Sequence, residues 1–545
     1  MLGLKSIYFY FIALQITLVK FFKKIYFSSS YYNKSLQSTL PRQVYFNPNP
    51  FLLSILTSYK KNSFKISEVN PNIFWLQDKK KYFEELHDFF WLHLIDRKID
   101  RKKIQRIISI WIMKNSKYKR KIWESSILSS RVISWILNLD VILHNGTFEY
   151  KKNVLKSIIS QSNHLKKNIS FEKSYSKRIK ILTALILTGL IFKEYEENFK
   201  IGIKELEKLT NVFFDKDGFP LSRSPDDLVL FAKYLILCKE CIKDAQKYIP
   251  EFLEIIVEKN LNNIKFIKDP NDLMPLFNGA SENKVDQLEK YLENLKVKKK
   301  NQAIVGGIYI KRLKNHVIFF DVGNPPEKSL SKSYQSGPLS FEYHLDGVKI
   351  ITNCGFGKNI SNKAELLSRL TATQSTLTIN DTAVTKFERN KIVNRIFGNS
   401  IKNTFKISDL NISYENIIGC SASHNGYEKN FGCIHKRGVH LDKVKNKIKG
   451  TDQILKNKDG KPIKYVLRFH INPQLTVVKT MGGNSALIQI SKNKSLIFTV
   501  ENEILEIEKS IFLAGKKILD NTCISISGDL VNKDKIINWE IKKNI

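Results

Sequence analysis

Cysteine is scarce in this chain. The six are Cys238, Cys241, Cys354, Cys420, Cys433 and Cys523, spread over 545 residues, too few and too scattered for a disulfide-stapled scaffold. Cys238 and Cys241 have the CxxC spacing, but no second pair accompanies them. Structural zinc takes four ligands, so the two read as core cysteines in a helical run. Acidic residues are also in short supply: 52 Asp and Glu stand against 89 Lys and Arg, a formal charge of +37. That surplus suits a polyanion, whether nucleic acid, an anionic membrane surface or an acidic polysaccharide. Zinc-finger spacing and the aromatic RNA-binding motif are both missing, so no nucleic-acid partner is expected. The lysines are spread through the chain, and the one dense block is Lys296-Val-Lys-Lys-Lys300.

Long uncharged apolar runs are missing too, with one exception. Ile7 to Val19 carries no charge between Lys5 and Lys20, but it falls short of the roughly 20 residues that span a bilayer. Its basic flanks suit an export signal or an interfacial anchor, yet no small-residue cleavage site follows. An amphipathic helix folded onto the first domain fits as well. Localisation stays open between the cell envelope or periplasm and a cytoplasmic membrane face, and the oligomeric state is unspecified.

A chain of 545 residues exceeds one ordinary core, so two or three domains are expected. From about 70 to 298 the apolar spacing is helical. Trp75 to Met113 opens the pattern, and helices are predicted near 121–144, 150–167, 178–193, 202–213, 226–243, 246–262 and 284–297. Short polar links between them favour stacked antiparallel hairpins. Beyond 298–303 the pattern becomes that of short strands, among them Ala303–Ile310, His316–Phe320, Leu339–Tyr343, Val348–Thr352, Ser375–Ile379, Tyr465–Ile471 and Ser495–Val500. Turn signals between them argue for an antiparallel sandwich. The expected fold is multidomain, α then β. Residues 1–40 form a basic apolar segment, 41–298 a helical domain and 299–545 a β domain.

Chemistry-bearing side chains crowd into Ser421-Ala-Ser-His-Asn-Gly-Tyr427 and Phe431-Gly-Cys-Ile-His-Lys-Arg437. On a strand, Ser423, Asn425 and Tyr427 share one face and His435 and Arg437 another. Asn425-Gly426 is a hairpin signal that could redirect His424. His, Tyr and Arg together suit an acidic, hydroxylated ligand. A plain hairpin with solvated polar residues fits the same letters.

Ordered along the chain, a series of segments resembles the heparinase II/III-like superfamily. Leu86-His-Asp-Phe-Phe-Trp-Leu92 is similar to the family's LHGFxWL, and Trp123 through Arg131 to Trp135 to its W…R(L/I)xxW helix pair. Asp217-Gly-Phe-Pro-Leu-Ser-Arg-Ser-Pro225 is similar to DGGHxSRNP, and Phe277-Asn-Gly-Ala-Ser-Glu282 to FNGxxE. Asp321-Val-Gly, Leu339-Ser-Phe-Glu342, Asn353-Cys-Gly355 and Ser375-Thr-Leu377 follow in order. The stretch from Ala422 to Arg437 is similar to ASHDGYxxxFGxxHRR, and Phe469-His-Ile-Asn-Pro473 to FHLHP. The resemblance implies an incomplete α/α toroid followed by a C-terminal antiparallel β-sandwich. It also implies a polysaccharide lyase that cleaves a uronic-acid-containing chain, such as a glycosaminoglycan, by β-elimination in bacterial cell-envelope metabolism. That reaction needs a group to neutralise the uronate carboxylate, a base for the C5 proton and an acid for the departing oxygen.

The chain departs from the family where the chemistry lies. The family's Asn-His pair has no counterpart in Ser176–Ala184, although Arg178 or Lys180 could meet a carboxylate. Asp226-Asp227 stands near the position of the family's catalytic tyrosine. The family's metal-ligand positions fall on Gln335, Asn353 and Gln374, and neutral amides are poor zinc ligands. No zinc and no other cofactor is expected, and the amides would hydrogen-bond in the core instead. His424, Tyr427 and Tyr309 remain as catalytic candidates. Arg223, Arg437, Lys436, His435, His470 and Arg178 are left for substrate binding. Each also has a plain structural role open to it: Tyr309 and His470 as buried strand residues, Arg223 as an ion pair, His435 as a satisfied sandwich residue. Loss of the metal and of the His/Tyr pair would leave a non-catalytic acidic-polysaccharide-binding protein.

Overall fold

The computed structural model describes residues 2–57, 70, 83–98, 100–295, 303–390, 393–394, 398–456, 462–531 and 533–544. The Lys296–Lys300 block and the opening of the Trp75–Met113 stretch lie outside them. The chain divides into two compact units. A helical unit comprises Met1–Phe214, Val229–Leu261 and Asp286–Leu295. A β unit comprises Asp215–Leu228, Asn262–Val285 and Lys296–Ile545.

Among the described residues eight helices run to thirteen residues or more: α1 (Leu2–Ser28), α2 (Arg101–Asn115), α3 (Ser125–Leu137), α4 (Phe148–Asn168), α5 (Tyr175–Ile191), α6 (Glu196–Phe213), α7 (Pro225–Asp244) and α8 (Glu251–Ile267). Where a helix is predicted over 284–297, the described residues, which stop at 295, form the turn Asp286–Leu288 and the short helix Glu289–Glu293. Helix starts follow their caps. Glu124 accepts from the backbone of Ser126 and Ile127, and Thr147 from Tyr150, satisfying N–H groups that the first turn leaves open. Helix α5 reads Ile-Leu-Thr-Ala-Leu-Ile-Leu-Thr-Gly-Leu-Ile from 181 and is buried on every side, the pattern of a central helix. It packs on α6, α3 and α4. A Cβ at Gly189 would stand 2.2 Å from the Phe199 backbone nitrogen, and one at Gly202 2.6 Å from Ile186. These two glycines let α5 and α6 approach closely.

The β unit carries seventeen strands among its described residues: β1 (Ile304–Val305), β2 (Ile308–Leu313), β3 (His316–Asp321), β4 (Phe341–Leu345), β5 (Val348–Thr352), β6 (Leu377–Ile379), β7 (Ile407–Ser413), β8 (Ile417–His424), β9 (Cys433–Asp442), β10 (Lys447–Lys456), β11 (Ile463–Ile471), β12 (Thr476–Lys479), β13 (Ser485–Ser491), β14 (Lys494–Val500), β15 (Leu505–Phe512), β16 (Leu519–Leu530) and β17 (Lys535–Lys543). One sheet has the order β1-β2-β3-β4-β5-β11-β16-β15, with β6 on β11. The other runs β12-β13-β14-β17-β10-β9-β8-β7. All pairings are antiparallel. Alternate residues of both sheets, such as Phe341 and Tyr343 on β4 and Val439 and Leu441 on β9, fill one shared core. The fold is thus a helical α-toroid-type region followed by an antiparallel β-sandwich.

Two excursions of the helical half, 215–228 and 262–285, group with the β unit, so its membership is not a simple cut near residue 298. Their polar groups explain why. Arg223 bonds to backbone around β1–β3, Asn271 Nδ2 donates to Gly347 O, the Gly279 N–H donates to Gln335, and Ala280 O accepts from the Phe356 N–H.

Candidate functional site

Most of the sequence-nominated side chains are brought together, but inside the sandwich core. His424 ends β8 and His435 lies opposite it on β9. Both are fully buried, as are Arg437 and Tyr427. The predicted Asn425-Gly426 two-residue turn is not formed. Residues 425–432 bridge β8 and β9 through a one-turn helix, Glu428–Phe431, closed by Gly432 at φ +62°. That longer bridge swings Tyr427 into the core with its ring 5.6 Å from His424. Its hydroxyl donates to Leu377 O at 2.9 Å.

The two imidazoles form a directed chain. The Gly426 N–H can only donate, and it points at His424 Nδ1 at 3.1 Å. His424 therefore carries its proton on Nε2 and donates to His435 Nδ1 at 3.3 Å. His435 Nε2 then donates to Asp452 Oδ1 at 2.7 Å. Arg437 Nε reaches the same oxygen at 2.7 Å, and Trp539 Nε1 donates to Oδ2 at 2.9 Å. Burial alone would raise the Asp452 carboxyl, but Arg437 and His435 hold it down at about 2. Burial, with His435 and Arg437 nearby, pushes His424 well below the ordinary imidazole range. A polymer cannot reach side chains that offer no surface, so this geometry corrects the assignment of His424 and Tyr427 as acid and base. It equally corrects Arg437 and His435 as substrate-binding groups; together they brace β8, β9, β10 and β17.

The other candidates divide in the same way. Tyr309 on β2 is buried, and burial pushes its phenol up. His470 is buried between Ser510 Oγ at 2.8 Å and Ala372 O at 3.0 Å, with its imidazole lowered to about 4 mainly by burial. Arg223 sits at φ +60° and spends its guanidinium on the carbonyls of Gly306, Gly307, Gly323 and Asn324 and on the Asp321 carboxylate at 2.5 Å. It fastens the β1–β2 turn and is closed to substrate. Lys436 faces the opposite way from its neighbours on β9 and is half-exposed. Arg178 pairs with Glu205 at 3.6 Å.

Gln335, Asn353 and Gln374 do not suit a zinc ion. Gln335 Oε1 accepts from the Gly279 N–H, and its Nε2 donates to Gly355 O and Ser368 O. Gln374 Nε2 also donates to Ser368 O, while Asn353 Oδ1 accepts from the Ser375 N–H. The Asn353 atom left unpaired is Nδ2, a donor that repels a cation. Among the described residues no three His, Cys, Asp or Glu side chains gather as a metal site.

Accessible groups with displaced ionisation lie elsewhere. In the helical unit, Asp88 follows the short helix Phe83–His87, and the chain then turns through Phe89 at φ +61°, held by a 2.6 Å bond from Ser134 Oγ to its carbonyl. Half-buried Asp88 accepts from the Phe90 N–H at 2.8 Å. Burial, against the pull of Lys180, pushes its carboxyl up to about 8. Lys177 and Lys180 are three apart on α5 and share a face, whereas Arg178 turns towards α6. Lys180 Nζ donates to Ser126 Oγ at 2.8 Å, and Lys177 pairs with Glu124 at 2.6 Å. Burial lowers Lys180 although Asp88 and Glu124 pull the other way. For Lys177 burial is outweighed by Glu124, which holds its ammonium above the ordinary value.

In the β unit, half-buried Asp226 and Asp227 open α7. Asp226 accepts from the Ser281 N–H and Asn283 Nδ2, both at 3.2 Å, and burial with the Asp227 charge pushes it up to about 7. Asp227 accepts from Ser222 Oγ at 2.6 Å and is raised by burial. Displaced carboxyls and amines of this kind nominate candidate sites, as buried ion-pair networks displace ionisation too. Asp88 went unnominated in the sequence, yet it replaces the glycine of LHGFxWL, and that departure was the available signal. Nothing in the letters distinguished Lys177 from other lysines.

Comparisons with known proteins place the fold. Residues 296–540 match the family described as "Heparinase II/III-like, C-terminal". A solved heparinase III superposes with TM-score 0.67 at 15% identity, covering 89% of this chain and 80% of that one. Heparan sulfate lyase HepC from Pedobacter heparinus superposes with TM-score 0.61 at 14% identity, covering 91% and 82%. At such identities the likeness is one of fold. No curated protein sequence matches the chain.

Proposed function

We propose that this chain, whose residues 296–540 belong to the heparinase II/III-like family, acts on a uronic-acid-containing polysaccharide by β-elimination at the α5 face of its helical unit. The observation that carries this reading is the charge interaction there between Lys180 and a half-buried carboxyl raised to about 8, with Lys177 three residues before Lys180 on the same helix. Lys177, kept charged by Glu124, supplies a positive field for the uronate carboxylate. Lys180, whose charge burial disfavours, takes the C5 proton. Asp88 is mostly protonated at neutral pH and gives its proton to the departing glycosidic oxygen. The C4–O bond breaks as the C4–C5 double bond forms, and no water is consumed.

The product's double bond is conjugated to its carboxylate and absorbs in the ultraviolet where the substrate does not. Incubation with a panel of uronate polysaccharides is expected to raise that absorbance for at least one member. Asp88→Asn should abolish the rise at an unchanged melting temperature. A flat trace across the panel removes the catalytic reading.

A second reading, binding without cleavage, is favoured by the burial of His424 and Tyr427 and by the amides at Gln335, Asn353 and Gln374. It predicts saturable binding with no absorbance change.

A further inference from the structure

We propose that one end of the β-sandwich is a second holding surface for an acidic polysaccharide, built wholly from residues of the β unit. It rests on the reading above for the identity of the polymer, a uronate chain, and not for its cleavage. Turns and strand ends of both sheets meet there. One sheet supplies the β2–β3 turn, Lys314-Asn315, and the β4–β5 turn, Asp346-Gly347. The other supplies the β9–β10 turn, Lys443–Asn446, with the start of β14 beside the end of β17. Within the first sheet the Asp346 N–H donates to Asn315 O at 2.9 Å. Between the sheets, His316 Nε2 lies 2.9 Å from Asn446 Oδ1. Lys314, Asp346 and Asn446 sit at φ +50°, +51° and +48°. Such tight turns fix the tips before any partner arrives.

Folding gathers lysines here that are far apart in the sequence. Asp346 is their centre: its carboxylate pairs with Lys494, lies 3.6 Å from Lys543 Nζ and accepts from Asn315 Nδ2. Lys447 and Lys449 are matched by Glu540 and Asp442. Lys314, Lys443, Lys445 and Lys492 are exposed, and among the described residues none of them stands in an ion pair. Glu415, in the neighbouring β7–β8 turn, is the one further acid in these turns. The surplus of one sign selects an anionic partner. Asp346 shows which anion suits the place, because a carboxylate already sits between two ammonium groups and an amide. The unmatched lysines are spread over three turns instead of converging on one point, which suits a chain of repeating carboxylates better than a single small anion.

The test is binding of the full chain to immobilised hyaluronan and polygalacturonate, with polyuridylate as competitor. The double variant Lys494→Gln, Lys543→Gln should bind about tenfold more weakly at an unchanged melting temperature, and added salt should weaken the wild type more than this variant. Asp346→Asn removes the carboxylate that occupies the two lysines and should tighten binding severalfold, which loss of a merely structural ion pair would not do. Polyuridylate at equal charge should compete poorly. Undiminished affinity in the double variant, weaker binding by Asp346→Asn, or equal competition by polyuridylate overturns the proposal. Binding that ignores Lys177→Met but still depends on Lys494 and Lys543 supports this surface and removes the α5 reading alone. Absence of binding to both polysaccharides removes both.

Discussion

Replacing Asp452 by Asn isolates the claim that the His424–His435–Arg437 cluster is a brace and not a reaction centre. Asp452 is wholly buried and accepts from three donors, His435, Arg437 and Trp539, at 2.7, 2.7 and 2.9 Å. An amide of the same shape keeps one acceptor oxygen but turns an NH2 group towards a donor. It also leaves the Arg437 guanidinium buried without its counter-charge. Removing one partner of a buried ion pair costs about 3–5 kcal/mol. For a unit of this size that corresponds to a fall in melting temperature of roughly 10 °C. Thermal or denaturant unfolding followed by circular dichroism reads it directly. A loss under about 1 kcal/mol, the range of ordinary surface substitutions, would show that the network is not closed as described. A His424→Gln variant that keeps its stability but loses all turnover would return the imidazoles to a catalytic role.

Further outcomes follow from the same structure. His470 is lowered to about 4 in the folded chain, whereas the free imidazole titrates near 6.5. The unfolded state thus binds protons first, and stability falls as pH drops from 6.5 to 4. This one group accounts for about 3 kcal/mol of that loss. The Asp452 contribution, about 2 kcal/mol, persists above its unfolded value and disappears only as pH falls from near 4 towards 2. Urea titrations at stepped pH would show the two windows, and stability flat between pH 7 and 4 would contradict the first. Arg223→Lys keeps the charge but cannot reproduce the fan of bonds to four carbonyls and Asp321. It should cost about 2–4 kcal/mol in unfolding experiments, and an unshifted midpoint would refute that role.

Periodicity showed the order of elements because the long helices bury one face or, in α5, every face, and the strands alternate. The predicted 178–193 helix is observed as Tyr175–Ile191, and the predicted strand at His316–Phe320 as β3. Side-chain destinations were much less legible. Whether His424 faces solvent or core depends on the eight-residue bridge 425–432, which Asn425-Gly426 disguises as a tight turn. Arg223 read as a carboxylate clamp because its partners are backbone carbonyls more than eighty residues away, and carbonyls leave no mark in a sequence. Asp88 and Lys180 are distinguished by burial and by each other, which only folding brings about.

The account turns on which basic surface meets the polysaccharide. The decisive measurement is the affinity of the intact chain for a uronate polysaccharide in the wild type and in the Lys177→Met and Lys436→Met variants. Loss of the Lys177 charge contact at the α5 face should weaken binding by about tenfold, near 1.4 kcal/mol. Lys436→Met, on the outward face of β9, should leave it unchanged. Affinity that survives Lys177→Met but collapses with Lys436→Met would contradict the assignment of the site to the helical unit.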